Sequence, residues 1–360
     1  MGTENDLISF IASMSGEGNL RVEENLGEGY VKLRISEAER RQAKHDIQHV
    51  EDAVIEMLRN ARDAGATSIY VATMKEEGVR SLLFLDNGSG VPQDMQDRIF
   101  DARVTSKLQS MKMDRWGVHG RGMALFSIKQ NACEASVVTS APGLGSSFRV
   151  IFDTDALSER ADQSTWPQAV KDDESKYVCA RGPHNIARTV CEFALEEQSD
   201  CDVFLGTPTE IAATLYQQAH SKLDATQLLF LDDASTLPVI DRLGFAADAS
   251  DFIQVAASLG LTLSERTAHR ILAGHIEPLR DVASRLLRTR DSSTRSKTID
   301  LSKDRRGLKI THDDIEAFSR AVERDFNDLA ERYYLTLHGD PKVRVTRDRI
   351  TVSFDLSKDE

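Results

Sequence analysis

The chain has 360 residues, of which 58 are acidic and 45 basic, so its formal net charge at pH 7 is −13. This length allows two or three domains with ample cores, and the negative charge argues against a protein that binds nucleic acid over its whole surface. The sequence has no apolar run of about 18 residues, so we expect no membrane-spanning helix.

The first 44 residues are expected to form a leading arm and a helix. Residues 1–18 carry acidic side chains early and no basic segment, so they do not resemble a secretory signal. The four cysteines lack the close pairing of metal sites, which favours reduced thiols in a cytoplasmic protein. The alternative is a metal site that combines His184 with Cys179, Cys191 and Cys201.

The segment from Val50 to Asp63 has the apolar periodicity of an amphipathic helix, and Gly65 can provide its left-handed C-terminal cap. Glu56, Asn60 and Asp63 fall within about 60° of each other around the axis of such a helix. A carboxylate and an amide one turn apart, followed by a short Asp-x-Gly-x-Gly turn, suit a magnesium–nucleotide site. A solvated helix face gives the same polar stripe, so this motif needs support from others.

Residues 67–73 and 81–85 are predicted as strands because they are rich in β-branched and apolar side chains. The second strand runs straight into the turn Asp86-Asn87-Gly88-Ser89-Gly90. Its two glycines let the backbone turn sharply and approach a ligand closely. A plain hairpin corner is the alternative, but the polar, helical pattern after Pro92 does not indicate a returning strand.

A second glycine-rich stretch precedes an apolar segment that is expected to be helical. Its glycines are Gly117, Gly120 and Gly122. Backbone amides freed by glycine and by a helix N-terminus form a natural phosphate cradle. The residues just before this stretch add two hydroxyls and a cation that can also face phosphate: Thr105, Ser106 and Lys107.

In this order the motifs resemble those of the GHKL, or Bergerat-fold, ATPase superfamily, which includes gyrase-type topoisomerases, heat-shock chaperones, histidine kinases and MutL. The run Glu56-x3-Asn60-x2-Asp63-Ala64-Gly65 matches its N box, and Asp86-x-Gly88-x-Gly90 matches its first glycine box. Residues 117–122 resemble the second glycine box, and residues 143–148 the closing strand. Across residues 45–152 the motifs are nearest to MutL, with the type IIB topoisomerase B subunit as a second relative.

The resemblance implies an α+β fold in which residues 45–153 form a Bergerat-type α/β two-layer sandwich that binds ATP and Mg²⁺. It implies that Glu56 activates the attacking water as a general base, that Asn60 binds Mg²⁺, and that Asp86 accepts a hydrogen bond from the adenine amino group. Further nucleotide contacts are expected at Asp63, Gly88, Gly90, Thr105, Ser106, Lys107, Gly117, Gly120, Arg121, Gly122 and Ser146.

Residues 154–290 are expected to form a connecting and largely helical region. Residues 252–274 resemble a helix-turn-helix in which Gly260 makes the turn and Ser264 caps a second helix whose Arg266 and Arg270 face outwards. Ordinary helical packing is the alternative. Residues 285–309 carry nine Lys or Arg against three Asp, which indicates a basic loop that contacts DNA or, alternatively, a solvated loop.

Residues 291–360 continue this basic loop into a long amphipathic helix over 313–334 and a terminal β-hairpin formed by 342–345 and 349–354. The superfamily often brings a lysine from a second domain to the terminal phosphate. Lys342 is the candidate for that role, and a surface lysine on the hairpin is the alternative.

These features together predict an ATPase that hydrolyses ATP slowly and couples it to closure of a lid over residues 98–122 and to homodimerisation. The expected output is DNA repair or topology. A chaperone-like or regulatory clamp that acts on a protein partner is the alternative. A histidine-kinase-like protein is a third, although His45 and His49 lie too close to the N box for a separate phospho-accepting helix.

Overall fold

The computed structural model describes residues 22–106, 112–114, 117–119, 122–160, 162–171, 177–223, 233–287, 310–333, 335–345 and 350–358. The chain forms two compact units, residues 1–287 and residues 288–360. The finer boundaries expected at residues 44, 153 and 290 stay predictions.

The first unit is built on a five-stranded mixed sheet with the strand order β12-β3-β4-β9-β8. The strands are β3 (Ser68–Glu76), β4 (Val79–Asp86), β8 (Glu134–Ala141), β9 (Gly145–Asp153) and β12 (Asp202–Gly206). Strand β12 runs parallel to β3, and the other neighbours are antiparallel. A strand from beyond residue 200 therefore completes a sheet whose other strands come from residues 68–153.

Helices cover both faces of this sheet. On one face lie α2 (Val50–Asp63), α3 (Ala124–Asn131) and α4 (Ile186–Glu196). On the other lie α5 (Pro208–Lys222), α6 (Ala249–Ser258), α7 (Glu265–Leu272) and a 3₁₀ segment at Val239–Phe245.

The side chains of β3 show how the sheet serves two cores. Ile69 and Val71 are buried against α2 and α4, whereas Tyr70 and Ala72 are buried against the second helical layer. Successive strand residues point to opposite faces, so a strand that is apolar at every position is covered on both sides. The expected α+β class is confirmed, and the predicted two layers are extended by a third.

Smaller elements complete the first unit. Strands β1 (Val22–Gly27), β2 (Tyr30–Leu33) and β5 (Val104–Thr105) form a three-stranded sheet. Helix α1 (Glu37–Asp46) follows, with a capping box between Ser36 and Glu39. Two short hairpins are β6 (Lys112–Asp114) with β7 (Gly117–His119), and β10 (Gln168–Lys171) with β11 (Tyr177–Arg181).

The second unit contains one long helix and two pairs of strands. Its elements are α8 (His312–Tyr333), β13 (Leu335–Leu337), β14 (Lys342–Val345), β15 (Ile350–Ser353) and β16 (Leu356–Lys358). Strands β14 and β15 pair as a hairpin, which confirms the predicted helix and hairpin. Within the described parts of both units, no helix has the length and apolar character needed to cross a membrane.

Candidate nucleotide-binding site

Helix α2 carries the polar stripe of the N box, and both of its ends are fixed locally. At the start, the backbone N–H of His49 donates to Asp52 Oδ2 at 2.9 Å. At the end, Gly65 adopts a φ of +75°, which ends the helix as its sequence predicted. The stripe is therefore held in a helix that is capped at both ends.

The stripe faces a cavity of about 500 Å³ between α2, the ends of β4 and β9, and the start of α3. Nine of the predicted site residues line it: Glu56, Asn60, Asp63, Asp86, Gly90, Thr105, Ser106, Gly122 and Ser146. Of the others, Gly117 lies in β7 opposite Asp114, and Lys107, Gly120 and Arg121 lie outside the described residues. Motifs separated by up to 90 positions in the sequence thus share one cavity.

Asp86 and Ser146 form a polar corner at one end of the cavity. Asp86 is only 3% exposed, and its Oδ1 accepts a hydrogen bond from the Gly88 N–H at 2.7 Å. The Ser146 hydroxyl lies 2.9 Å from the hydroxyl of Ser140, which accepts from the backbone N–H of Val91 at 2.8 Å. A buried carboxylate whose orientation is fixed in this way can accept a hydrogen bond from a single donor on a ligand.

The two glycines of the first glycine box serve mainly to pack the backbone. A Cβ on Gly90, whose φ is +72°, would lie 1.9 Å from the Ala141 carbonyl oxygen. A Cβ on Gly88 would lie 2.8 Å from Asp86 Oδ1 and 3.0 Å from the Ala64 carbonyl oxygen. Gly88 does not line the cavity, so its role is to keep Asp86 and the end of α2 close together.

Asn87 anchors the same turn and was not singled out from the sequence. Its Oδ1 accepts from the backbone N–H groups of Thr67 and Ser68, both at 2.9 Å, and its Nδ2 donates to Thr67 Oγ1 at 2.8 Å. The Asn87 side chain thus links the end of β4 to the start of β3 by hydrogen bonds. A hydrogen-bonding amide just before a glycine was the only signal for this in the sequence.

Backbone and hydroxyl donors gather at the other end of the cavity. Thr105 is buried at the end of β5, and the exposed Ser106 follows it. Gly122 has a φ of +67°, and its carbonyl oxygen accepts from the Arg103 N–H at 2.8 Å. Helix α3 begins two residues later, so its first amides lie at the cavity wall. A helix N-terminus beside hydroxyls suits an anion.

Two arginines of α2 hold the acidic residues of the N box. Arg59 is 2% exposed, and its Nη1 donates to Glu56 Oε1 at 2.7 Å. Arg62 joins Asp63, at 3.1 Å, to Glu197 beside the end of α4, at 3.0 Å. Arg62 and Asp63 therefore connect α2 to α4, whereas Arg59 acts directly on Glu56.

Several cavity residues were missed because they belong to no motif. Phe84 and Phe148 lie opposite each other on β4 and β9 and form an apolar wall. Tyr30 reaches the cavity from β2, and burial raises the pKa of its hydroxyl. The sequence indicated an arm before α2, but nothing in it placed Tyr30 at the site.

Comparison with known proteins agrees with this geometry. Residues 47–176 match a family described as histidine kinase-, DNA gyrase B-, and HSP90-like ATPase. DNA mismatch repair protein MutL of Staphylococcus aureus, in strains Newman and JH1, is 38% identical over 104 residues, which are 28% of this chain and 15% of MutL. Residues 47–176 form a domain of the GHKL ATPase superfamily. The chain therefore spans only a small part of the length of the curated relatives it matches.

Residues 252–274, which resemble a helix-turn-helix, form α6 and α7 on the face of the GHKL sheet opposite α2. Ser264 caps α7 by accepting from the Thr267 N–H at 3.2 Å, and Arg266 and Arg270 are exposed, as the sequence predicted. The turn before α7 is fixed to β9, because Ser147 Oγ donates to the Leu259 carbonyl oxygen at 2.7 Å. The GHKL sheet thus contacts the turn that leads into α7.

The remaining sequence candidates have these positions. Arg285, at the start of the basic segment, lies 3.6 Å above the ring of Trp166, and residues 288–309 are outside the described part of the chain. Lys342 Nζ pairs with Asp355 at 2.5 Å in the second unit. Among the described residues, no group of three or more His, Cys, Asp or Glu side chains is placed to hold a metal ion. Burial raises the pKa of the Cys201 thiol to about 12, which favours the protonated thiol.

Proposed function

We propose that the protein is a magnesium-dependent ATPase that hydrolyses ATP in this cavity. The observation that supports it most is the placement of Glu56 and Asn60, one helical turn apart, in the same cavity as the buried Asp86. The cavity thus offers a base and a metal ligand on α2 and a carboxylate for the nucleobase.

Adenine is proposed to bind at Asp86. The carboxylate accepts a hydrogen bond from the 6-amino group, and Phe84 and Phe148 provide the apolar surface nearby. Guanine carries an oxygen in place of that amino group, so it would leave a buried acceptor facing another acceptor. An unpaired buried polar group costs about 1–3 kcal/mol, which favours ATP over GTP.

The phosphates are proposed to lie toward Thr105, Ser106 and Gly122, beside the first amides of α3. The side-chain oxygen of Asn60 suits Mg²⁺, which takes one or two protein ligands and completes its coordination with phosphate oxygens and water. When bound, the metal neutralises charge that develops on the phosphates. Lys107 is proposed to add a cation at this end.

Glu56 is proposed to take the proton of the water that attacks the terminal phosphorus. As the new P–O bond forms, the bond between that phosphorus and the bridging oxygen breaks, and ADP and phosphate leave. General base catalysis of this kind contributes roughly 10²–10⁴-fold to the rate. The Glu56 side chain is 20% exposed and lines the cavity, so a water molecule there can reach it.

The test combines a binding assay with a turnover assay. Glu56→Gln is preferred to Glu56→Ala, since the glutamine oxygen can still accept from the buried Arg59. We expect the variant to bind ATP like the wild type and to lose turnover, while the surface control Glu76→Gln keeps both. Full turnover in Glu56→Gln would refute the base assignment, and a wild-type chain that does not bind ATP would refute the proposed function.

The proposed output is DNA metabolism, with nucleotide-gated closure of the residue 98–122 segment and homodimerisation. It is supported by the similarity to MutL over 104 residues and by the exposed Arg266 and Arg270 on α7. The net charge of −13 favours the second candidate, a clamp that acts on a protein partner. Retention on DNA at low salt separates the two, because phosphate contacts by lysine and arginine weaken steeply with salt.

A further inference from the structure

Arg59 forms an ion pair with Glu56, although the proposed reaction gives Arg59 no role. Both side chains line the cavity, and Arg59 immediately precedes Asn60 on α2. The arginine side chain is 3% exposed and the glutamate side chain 20%. The buried cation therefore holds the carboxylate by a charge-assisted hydrogen bond of 2.7 Å.

The geometry of the pair differs from that of the next arginine on the helix. Arg62 bridges Asp63 and Glu197 and so connects two elements. The Arg59–Glu56 pair lies within one helix at a spacing of three residues, where two side chains are neighbours on the surface. The contact therefore bears directly on the orientation of Glu56.

This contact opposes the chemistry proposed for Glu56. A general base must offer an oxygen to the proton of the attacking water. A carboxylate oxygen that already accepts from a guanidinium has that acceptor position occupied, and its side-chain torsions are held in place. Opening the pair releases the oxygen that accepts this hydrogen bond.

We propose that Arg59 is a positioning residue that restrains Glu56 in the resting cavity and thereby limits the rate of ATP hydrolysis. The inference rests on the proposed function. ATP binds while the pair is closed, and the pair opens before the terminal phosphate is transferred to water. Arg59 therefore governs turnover and leaves ATP affinity largely unchanged.

The experiment compares Arg59→Gln with Arg59→Lys and measures ATP affinity and steady-state turnover separately. Arg59→Gln removes the cation, and we expect kcat to rise about tenfold while the Kd for ATP stays within about twofold. Arg59→Lys keeps a cation beside Glu56 and should restore a rate near that of the wild type. The double variant Arg59→Gln/Glu56→Gln should be as inactive as Glu56→Gln, because the effect acts through that carboxylate.

The control is Arg188→Gln, which opens a half-buried ion pair of 2.8 Å on α4, away from the cavity, and also removes two hydrogen bonds to backbone carbonyl oxygens. It should lower the melting temperature and leave kcat unchanged. An Arg59→Gln protein that binds ATP but turns over at the wild-type rate or more slowly overturns the proposal. So does a large loss of ATP affinity, which would make Arg59 a phosphate ligand. If the wild type does not bind ATP, the proposed function fails instead.

A second measurement does not depend on whether these variants fold. In a crystal structure of the wild-type chain with Mg·ADP and beryllium fluoride, which mimics the terminal phosphate, the Arg59 and Glu56 side chains should be more than about 4 Å apart. An ion pair that stays closed in that complex overturns the proposal.

Discussion

Asp86 and Ser146 are direct partners across β4 and β9, and both side chains close the same corner of the cavity. They are 60 residues apart in the sequence, yet the antiparallel register places them side by side with exposed fractions of 3% each. The Asp86 carboxylate thus belongs to the last residue of a paired strand and not to a loop. Its geometry is fixed before a nucleotide arrives, which lowers the cost of binding.

Asp86→Asn is therefore expected to abolish ATP binding while leaving the fold intact. The amide is nearly the same size, and its oxygen can keep the hydrogen bond from the Gly88 N–H. Its NH2 group then presents a donor where the adenine amino group requires an acceptor. Calorimetric titration with ATP should show an affinity at least about 100-fold weaker. Asp94→Asn, at an exposed aspartate a few residues further on, is the matched control and should bind like the wild type.

Gly90→Ala and Gly143→Ala form a pair that separates backbone strain from crowding. Both glycines have a positive φ, of +72° and +75°, but only Gly90 has an atom within van der Waals range of the added methyl group. Gly143→Ala should cost about 1 kcal/mol of unfolding free energy. Gly90→Ala should cost about 3 kcal/mol or more, because the Ala141 carbonyl must move. Urea unfolding measures both, and equal losses would show that crowding at Gly90 is relieved cheaply.

The ion cluster of Glu159 with Arg80 and Lys75 is expected to make stability depend on acid pH. Burial alone would raise the pKa of Glu159, but hydrogen bonds from Arg80 and Lys75 bring it below its ordinary value. A folded-state pKa below the unfolded value of about 4.3 contributes stability that is present above that pH and lost as the pH falls through the folded pKa. Urea unfolding of the wild type and Glu159→Gln should therefore differ most near neutrality and converge as the pH falls through the folded pKa. A difference that grows toward low pH would contradict this.

The exposed arginines of α7 allow a test of whether the protein acts on DNA. Arg266→Gln/Arg270→Gln should weaken retention on double-stranded DNA at about 50 mM salt and reduce the salt dependence, since about two phosphate contacts are lost. Arg320→Gln/Arg324→Gln changes the net charge equally on α8 and is the control. If the wild type is not retained at this salt, the clamp on a protein partner becomes the favoured output.

The sequence by itself determined which residues are the candidates for the chemistry. Glu56, Asn60 and Asp63 share a face because helical spacing is a local property, and Asp86 follows its strand directly in the chain. The glycines at 88 and 90 were also visible, although Gly88 proved to support Asp86 and not to line the cavity. Local spacing therefore predicted the motifs and the side of the helix on which they lie.

Only the tertiary structure decided how those motifs are surrounded. It paired β12 with β3, covered the second face of the sheet with α5, α6 and α7, and brought Tyr30 to the cavity. It also placed the Arg59 guanidinium on Glu56, where the sequence alone allowed either side chain to point to solvent. Strand partners and the rotamers of long charged side chains depend on packing between distant segments, and a single local pattern does not contain that information.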